Sequence, residues 1–360
     1  MKFYKRSQTK KINIGNVTIG GGSPIAIQSM TNTDSRDWKT TVKQIKQLEE
    51  VGCELVRISL PDMESAYNVN KIKKNIKIPL IADIHFDYRI ALEAIKQGID
   101  KIRINPGNIG SEDILEILVK EAKKAHISMR IGTNAGSLKE VHKNSSGLLR
   151  AKALAIATLE RVNVLEKHNF EDIIISLKAS DIDTTVQAYR IFASKRNYPL
   201  HLGITEAGSI FSGTIKSSAG LGIMLYDGLG DTLRISLTAD PIEEIRVAYS
   251  LLQSIKLRSS GLEIISCPTC SRCHFDLIKI VSKVEEQTAS IKELKKKSKP
   301  IKVAIMGCIV NGPGEAREAD FGIAGNGKYG LLFKNGEILE KVKYGCWVKK
   351  IVSMIKDFQE

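Results

Sequence analysis

The sequence has no apolar run approaching the roughly 18 residues that a membrane-spanning helix requires, so no membrane segment is expected. Aromatic residues make up only 6% of the chain, too few to interleave a basic surface into a stacking platform for nucleic acid, and nucleic acid is not expected as a partner. The basic opening MKFYKRSQTKK is followed by no apolar stretch, which argues against a secretory leader and for a cytoplasmic, reducing setting. Carboxylates are in deficit. Forty Asp and Glu face 54 Lys and Arg, for a net charge of +14. Such an imbalance calls for an anionic partner: a substrate or an acidic protein. Cysteine is sparse as well, six in 360 residues, yet Cys267, Cys270, Cys273 and Cys308 fall within about forty residues of one another. Without a leader, that clustering points to a metal site before disulfides.

What is present is a repeated theme. A hairpin is predicted over residues 12–20, and apolar runs then recur at 25–30, 55–60, 80–86, 102–106, 129–133, 173–179, 200–205 and 233–238. Segments with helical periodicity separate them, among them 41–50, 90–97, 114–124 and 242–252. Runs apolar on both faces that alternate with helices read as a parallel sheet, and eight such units in about 250 residues fit a (β/α)8 TIM barrel over residues 1–261. An open doubly wound sheet is the rival, weakened because no glycine fingerprint follows the first strand.

Residues 262–360 read as a small α+β domain. It has strands at 262–266 and 302–306, a helix at 275–286, a hairpin at 331–339 turning on Asn335-Gly336, and a final helix at 347–358. The lysine-rich stretch 292–300 reads as a solvated connector. Gly325, Gly327 and Gly330 match GxGxxG, but a hairpin follows where pyrophosphate binding needs a helix, so they read as turn glycines.

Barrel enzymes place chemistry at the C-terminal ends of their strands. Polar residues late in each run are Gln28 and Ser29; Arg57; Asp83 and His85; Arg103, Asn105 and Asn108; Arg130 and Asn134; Lys178; Thr205 and Glu206; and Arg234 and Ser236. Some of these are candidates for ordinary ion pairs. Five cations converging on one mouth are harder to explain so, because they repel and lose hydration without matching anions. Guanidinium forks suit phosphate oxygens, and the mouth reads as a site for a small phosphorylated molecule, in particular a diphosphate. His85 and His201 read equally well as core or catalytic residues. Glu206 fits a proton donor or acceptor, or a partner for Lys178 or Lys216.

The cysteine segments read SCPTCSRC (266–273) and GCIVNGPGEA (307–316). Their spacing alone admits tetrahedral zinc or an iron–sulfur cluster, which leaves open a zinc-stabilised binding protein. Together with QSMT (28–31), ADIHF (82–86), RINPGN (103–108), GITEAG (203–208) and KSS (216–218), they resemble the 4-hydroxy-3-methylbut-2-enyl diphosphate synthase family, in its short two-domain bacterial form, over essentially the whole chain. The resemblance implies an oxidoreductase of non-mevalonate isoprenoid biosynthesis. Its substrate would be 2-C-methyl-D-erythritol 2,4-cyclodiphosphate. It further implies a 4Fe-4S cluster on Cys267, Cys270, Cys308 and Glu315, the last an exchangeable, catalytically important ligand. Substrate contacts carry over to Arg57, Arg103, Arg130, Asn134, Lys178, Arg234 and Ser236, with Glu206 as proton donor. A flavodoxin or ferredoxin electron donor and a head-to-tail homodimer are implied too. Cys273 departs from the family pattern and reads as a spare thiol near the cluster or a fourth thiolate. Cys53 and Cys346 read as packing residues.

Overall fold

The computed structural model describes residues 4–85, 87–104, 112–138, 147–258, 261–288, 291, 299–309, 317–325 and 327–358. The chain divides into two compact units, Met1–Arg258 and Ser259–Glu360.

In the first unit, a hairpin of β1 (Ile12–Ile14) and β2 (Val17–Ile19) precedes eight parallel strands. These are β3 (Ala26–Met30), β4 (Leu55–Ser59), β5 (Leu80–Asp83), β6 (Lys101–Ile104), β7 (Ser128–Asn134), β8 (Ile173–Lys178), β9 (His201–Leu202) and β10 (Thr232–Leu233). They pair in the order β8-β7-β6-β5-β4-β3-β10-β9, and a parallel bridge from Ile175 to Leu200 joins the two ends into a barrel. The predicted (β/α)8 architecture is thereby observed. Helices α1 (Trp38–Glu50), α2 (Met63–Tyr67), α3 (Val69–Lys73), α4 (Tyr88–Lys96), α5 (Glu112–Lys124), α6 (Gly147–Lys167), α7 (Ile182–Ala193), α8 (Ile210–Tyr226) and α9 (Pro241–Ser254) connect the strands. Aspartate sets where five of them begin. The carboxylates of Asp37, Asp62, Asp87, Asp181 and Asp240 each accept a hydrogen bond from a first-turn amide. Each cap fixes how far a strand-end loop runs before its helix starts.

Ile12, Ile14 and Ile19 of the hairpin cluster with Ala26, Leu55, Ile81 and Ile174, which lie early in their strands. The hairpin therefore plugs the N-terminal end of the barrel. None of the described helices is long and apolar enough to cross a membrane.

Strands β9 and β10 are shorter than the runs at 200–205 and 233–238 led us to expect. The Arg234 amide still donates to the Leu202 carbonyl (3.0 Å), after which both segments leave the ladder and carry Glu206 and Ser236 as loop residues. A side chain reinforces the β8–β9 seam beside the Ile175–Leu200 bridge. The buried Tyr189 hydroxyl accepts from the Leu177 amide (3.1 Å) and donates to the His201 carbonyl (2.5 Å), tying the two strands together.

The second unit holds the sheet β11 (Leu262–Ser266), β12 (Ile301–Met306), β13 (Phe321–Gly325), β14 (Tyr329–Lys334) and β15 (Glu337–Lys343), in that order. The first three strands run parallel and the rest antiparallel. Helices α10 (Leu277–Thr288) and α11 (Trp347–Asp357) complete it. Asn335 and Gly336 both take positive φ (50° and 83°), the backbone of a type I′ turn and the reason this dipeptide marks a hairpin. Trp347 is wholly buried, with its indole N–H donating to the Val342 carbonyl (2.9 Å). The lysine-rich segment 292–298, Asn105, Asn108 and Glu315 lie outside the described residues.

Replacing Tyr189 with Phe strands a buried amide and a buried carbonyl at the seam. The substitution should lower unfolding stability by about 1–3 kcal/mol, measured by urea denaturation. An unchanged midpoint would show that strand pairing alone closes the barrel.

Candidate active site

Inside a barrel every second residue of a strand points at the axis, and apolar side chains ordinarily fill that space. Here the inward positions carry charge. Successive register pairs run from Met30 to Arg57, Ser59 to Asp83, Asp83 to Arg103, Arg103 to Arg130, and Asn134 to Lys178. Arg57, Asp83 and Arg130 are 5%, 4% and 1% exposed, so these charges are shielded from solvent. Gly132 makes room for one of them, since a Cβ there would lie 3.3 Å from the Arg103 Nε.

Two carboxylates organise the cations. Asp83 accepts from Arg103 Nη1 (2.8 Å) and lies 3.5 Å from Arg57 Nε. Burial would raise its pKa, but Arg57, Arg103 and Arg130 outweigh that and bring it to about 2. Glu244, buried on α9, accepts from Arg234 Nη2 (3.3 Å), the Ser29 hydroxyl (3.0 Å) and the Leu237 amide (3.1 Å). The Met30 thioether sits between Arg57 Nη2 (2.9 Å) and Arg234 Nη1 (3.6 Å). Arg57, Arg103, Arg130, Lys178 and Arg234 thus gather around Asp83 and Glu244, as a cluster short of negative charge. Burial first, then the neighbouring cations, pull the pKa values of Arg130 and Lys178 well down. Arg130 Nε and Nη1 have no hydrogen-bond partner among the described residues. Charged donors so placed suit an anionic ligand.

The remaining expected site residues are placed as follows. Asn134, at the end of β7, and Ser236, beyond β10, lie on the side where these strands end, Asn134 exposed and Ser236 half-buried. Glu206 takes a left-handed backbone (φ 54°), and Lys216 Nζ donates to its main-chain carbonyl (3.2 Å). Lys216 therefore grips the backbone of Glu206 through that bond. His85 is exposed, and its Nε2 lies 3.2 Å from Arg103 Nη1. Guanidinium can only donate, so that nitrogen is the acceptor. His201 lies wholly buried in the barrel, Nδ1 2.8 Å from the Thr232 hydroxyl, and burial together with Arg130, Lys178 and Lys101 keeps it neutral.

Sequence reading gave three participants no role. Glu244 shares the inward face of α9 with Pro241, Ile245, Ala248, Leu251 and Leu252, and an acid in an apolar stripe was the signal available. Asp83 was noted as a strand-end residue without a role. Lys101 immediately precedes the predicted run 102–106 and gave no signal of its own. It is fully buried, its ammonium has no partner among the described residues, and burial, then Arg130 and Arg57, drives its pKa far down.

In the second unit, parallel pairing of Ser266 with Ile305 brings Cys267 and the Gly307–Cys308 segment to the same end of adjacent strands. The Gly307 amide donates to Cys267 Sγ (3.2 Å), and amide–thiolate bonds of this kind tune iron–sulfur centres. A Cβ on Gly307 would lie 3.1 Å from Cys273 Sγ and 3.3 Å from Cys267 Sγ, so glycine there leaves space that two thiols share. Cys270 is exposed; Cys267, Cys273 and Cys308 are half-buried. Among the described residues no three His, Cys, Asp or Glu side chains converge as a single-ion site. Cys267, Cys270, Cys273 and Cys308, at or near the ends of these two strands, are the candidate metal ligands of the second unit. Cys53 packs in the core as expected, its thiol donating to the Leu55 carbonyl (3.1 Å) and pushed by burial to about 12. Cys346 is exposed, against expectation, because it precedes Trp347, which takes the buried position at the start of α11.

Two outcomes follow. Asp83 is depressed relative to an unfolded carboxyl, so its stabilisation is present above about pH 4 and is lost as pH falls toward 2. Thermal unfolding of Asp83→Asn should therefore lie well below wild type at pH 6, with the gap closing on acidification; a gap constant with pH would contradict this. Lys101→Met removes a buried amine that has no partner among the described residues and should raise stability by about 1–4 kcal/mol. A loss of stability would show that the ammonium has an anionic partner.

The sequence matches the GcpE TIM-barrel domain over residues 9–249 and the GcpE protein C-terminal domain over residues 263–357. It is 53% identical over 351 residues to the 4-hydroxy-3-methylbut-2-en-1-yl diphosphate synthase (flavodoxin) of Caldanaerobacter subterraneus subsp. tengcongensis, spanning 98% of this chain and 97% of that protein. The protein of the same name from Clostridium acetobutylicum is 52% identical over 339 residues, covering 94% and 95% of the two chains. Among solved structures, dihydropteroate synthase from Stenotrophomonas maltophilia superimposes with a TM-score of 0.52 at 11% identity, over 69% of this chain and 98% of that one, a likeness of fold alone. With both domain matches in sequence order and half of all residues shared with such relatives, the chain belongs to the GcpE family.

Proposed function

We propose that this protein is a 4-hydroxy-3-methylbut-2-enyl diphosphate synthase working in the cytoplasm. It takes 2-C-methyl-D-erythritol 2,4-cyclodiphosphate, opens the ring and removes one hydroxyl as water, consuming two electrons and two protons. The observation that carries this reading is the buried excess of cations over carboxylates in the barrel, with unsatisfied guanidinium donors at Arg130. A cyclic diphosphate supplies the missing charge, and its phosphoryl oxygens suit forked donors.

In this reading Arg57, Arg103, Arg130, Lys178 and Arg234 hold the diphosphate, and Asn134 and Ser236 orient the carbon skeleton from the rim. Asp83 and Glu244 fix the guanidinium planes beforehand, so binding spends little on ordering them. Glu206 delivers a proton. Its left-handed backbone, anchored through Lys216, is a strained conformation of the kind kept where a side chain must be aimed.

Cys267, Cys270 and Cys308, with Glu315 as the exchangeable fourth ligand, would hold a 4Fe-4S cluster. When bound, the cluster supplies single electrons and a Lewis-acidic iron. The substrate-gripping residues and the cysteines belong to different units of the chain. A head-to-tail homodimer, in which the second unit of one subunit serves the barrel of its partner, is part of the proposal. Flavodoxin or ferredoxin brings the electrons, and an acidic carrier suits a chain of net charge +14.

Anaerobically purified protein should be brown and carry about four irons per chain. Arg130→Ala and Arg234→Ala should each weaken binding of the cyclic diphosphate by roughly 10- to 100-fold in calorimetry, the worth of one charged hydrogen-bond set. Iron content should not change in either. Unaltered binding, or iron lost together with the arginine, would overturn this division of labour.

A further inference from the structure

Most lysines of a folded protein reach into water or pair with a carboxylate. Lys178 does neither. It is the last residue of β8, the sixth strand of the barrel, and pairs in register with Asn134 of β7. Protein surrounds it closely, yet it keeps some contact with solvent. Its side-chain nitrogen makes no ion pair or hydrogen bond among the described residues. The nearby carboxylates are engaged elsewhere, Asp83 by Arg57 and Arg103, and Glu244 by Arg234. The charged groups that act on Lys178 are Arg130 of β7, Arg57 of β4, Arg234 just past β10 and Arg103 of β6, all cations. Burial first, then these four guanidinium groups, holds the amine well below the usual lysine range. One flank of the nitrogen is clear. Gly203 follows β9, and a Cβ there would lie 3.8 Å from Lys178 Nζ and 3.9 Å from its Cε. A larger side chain would cover that approach. Lys101 feels Arg130 and Arg57 as well, but it is fully buried and out of a ligand's reach.

A lysine nitrogen that is desolvated, ringed by cations and open on one side has the properties of a Schiff-base nucleophile. The guanidinium groups beside it suit a phosphate. We propose that Lys178 forms a reversible Schiff base with small phosphorylated aldehydes and ketones, whose phosphate is held by Arg57, Arg103, Arg130 and Arg234. The inference rests on the reading of the mouth as a phosphoryl site given above. The free amine attacks the carbonyl carbon, a carbon–nitrogen bond forms, and the nitrogen passes a proton to the oxygen. The hydroxyl then leaves as water with the second N–H proton, and a C=N bond remains. No oxidant or reductant is involved, and water reverses the step. While the imine stands it occupies the place of the cyclic diphosphate, so phosphorylated carbonyl compounds act as reversible covalent inhibitors. Facing a diphosphate, which has no carbonyl, the same nitrogen takes a proton and serves as a donor.

The test uses the full wild-type chain, purified without oxygen and incubated with pyridoxal 5′-phosphate. Cyanoborohydride fixes any imine, and the label is mapped by peptide mass spectrometry. It should fall on Lys178, with Lys101 unmodified. Excess inorganic diphosphate, or pyridoxal lacking its phosphate, should each cut labelling of Lys178 by roughly 10- to 100-fold, the effect expected of charged hydrogen bonds to phosphate. A label spread over exposed lysines with Lys178 unmodified would overturn the inference. So would labelling of Lys178 that ignores both diphosphate and the loss of the phosphate. Calorimetry of the same protein with inorganic diphosphate keeps the two readings apart. Diphosphate binding to a chain whose Lys178 stays unlabelled sinks the Schiff base alone. A chain that binds no diphosphate sinks the phosphoryl-site reading and this inference with it.

Discussion

Among the described residues, the barrel encloses more positive charge than its buried carboxylates neutralise. Arg57, Arg103, Arg130, Lys178 and Arg234 converge on Asp83 and Glu244, and Lys101 adds a further buried ammonium below Arg103 on the same strand. A cluster of this kind opposes folding, because each cation loses hydration and repels the others. It persists because the rest of the barrel is well supported. The apolar outer faces of the strands, the aspartate-capped helices, the isoleucine plug and the Tyr189 staple provide stability that the charged interior draws down. On the proposed reading, a diphosphate bound among these cations would relieve that repulsion, and part of its affinity would come from doing so.

The two carboxylates turn that repulsion into geometry. Asp83 ties Arg103 to Arg57, and Glu244 ties Arg234 to Ser29 of the first barrel strand. The guanidinium planes are thus held before any ligand is bound. In the second unit, a parallel pair of strands ends in cysteines, and a glycine leaves two sulfurs room beside it. Both sites use the ends of neighbouring parallel strands, where side chains from distant parts of the sequence meet.

Much of this was legible in the sequence. Eight doubly apolar runs between helical segments fixed the barrel, because strands buried on both faces have no alternation to hide. Asn335-Gly336 announced its hairpin through the positive φ that both residues adopt. The five cations were visible because charge inside an apolar run stands out. Other features were not. Lys101 opens a run and looks like a flank, and only the pleat shows that it points inward. Glu244 hides among the acids that favour any helix start. The short β9 and β10 could not be foreseen, since 200–205 and 233–238 remain extended while leaving the ladder. Cys346 was misread because the buried side chain at that turn is its neighbour, Trp347.

On the proposed reading, the cation excess in the barrel destabilises the protein until a diphosphate binds. Melting temperature of the full chain against inorganic diphosphate, at constant ionic strength held by chloride, tests it most directly. The melting temperature should climb with the logarithm of diphosphate concentration, and Arg130→Ala should blunt the rise. A melting temperature that ignores diphosphate, or responds equally to chloride, would contradict the account.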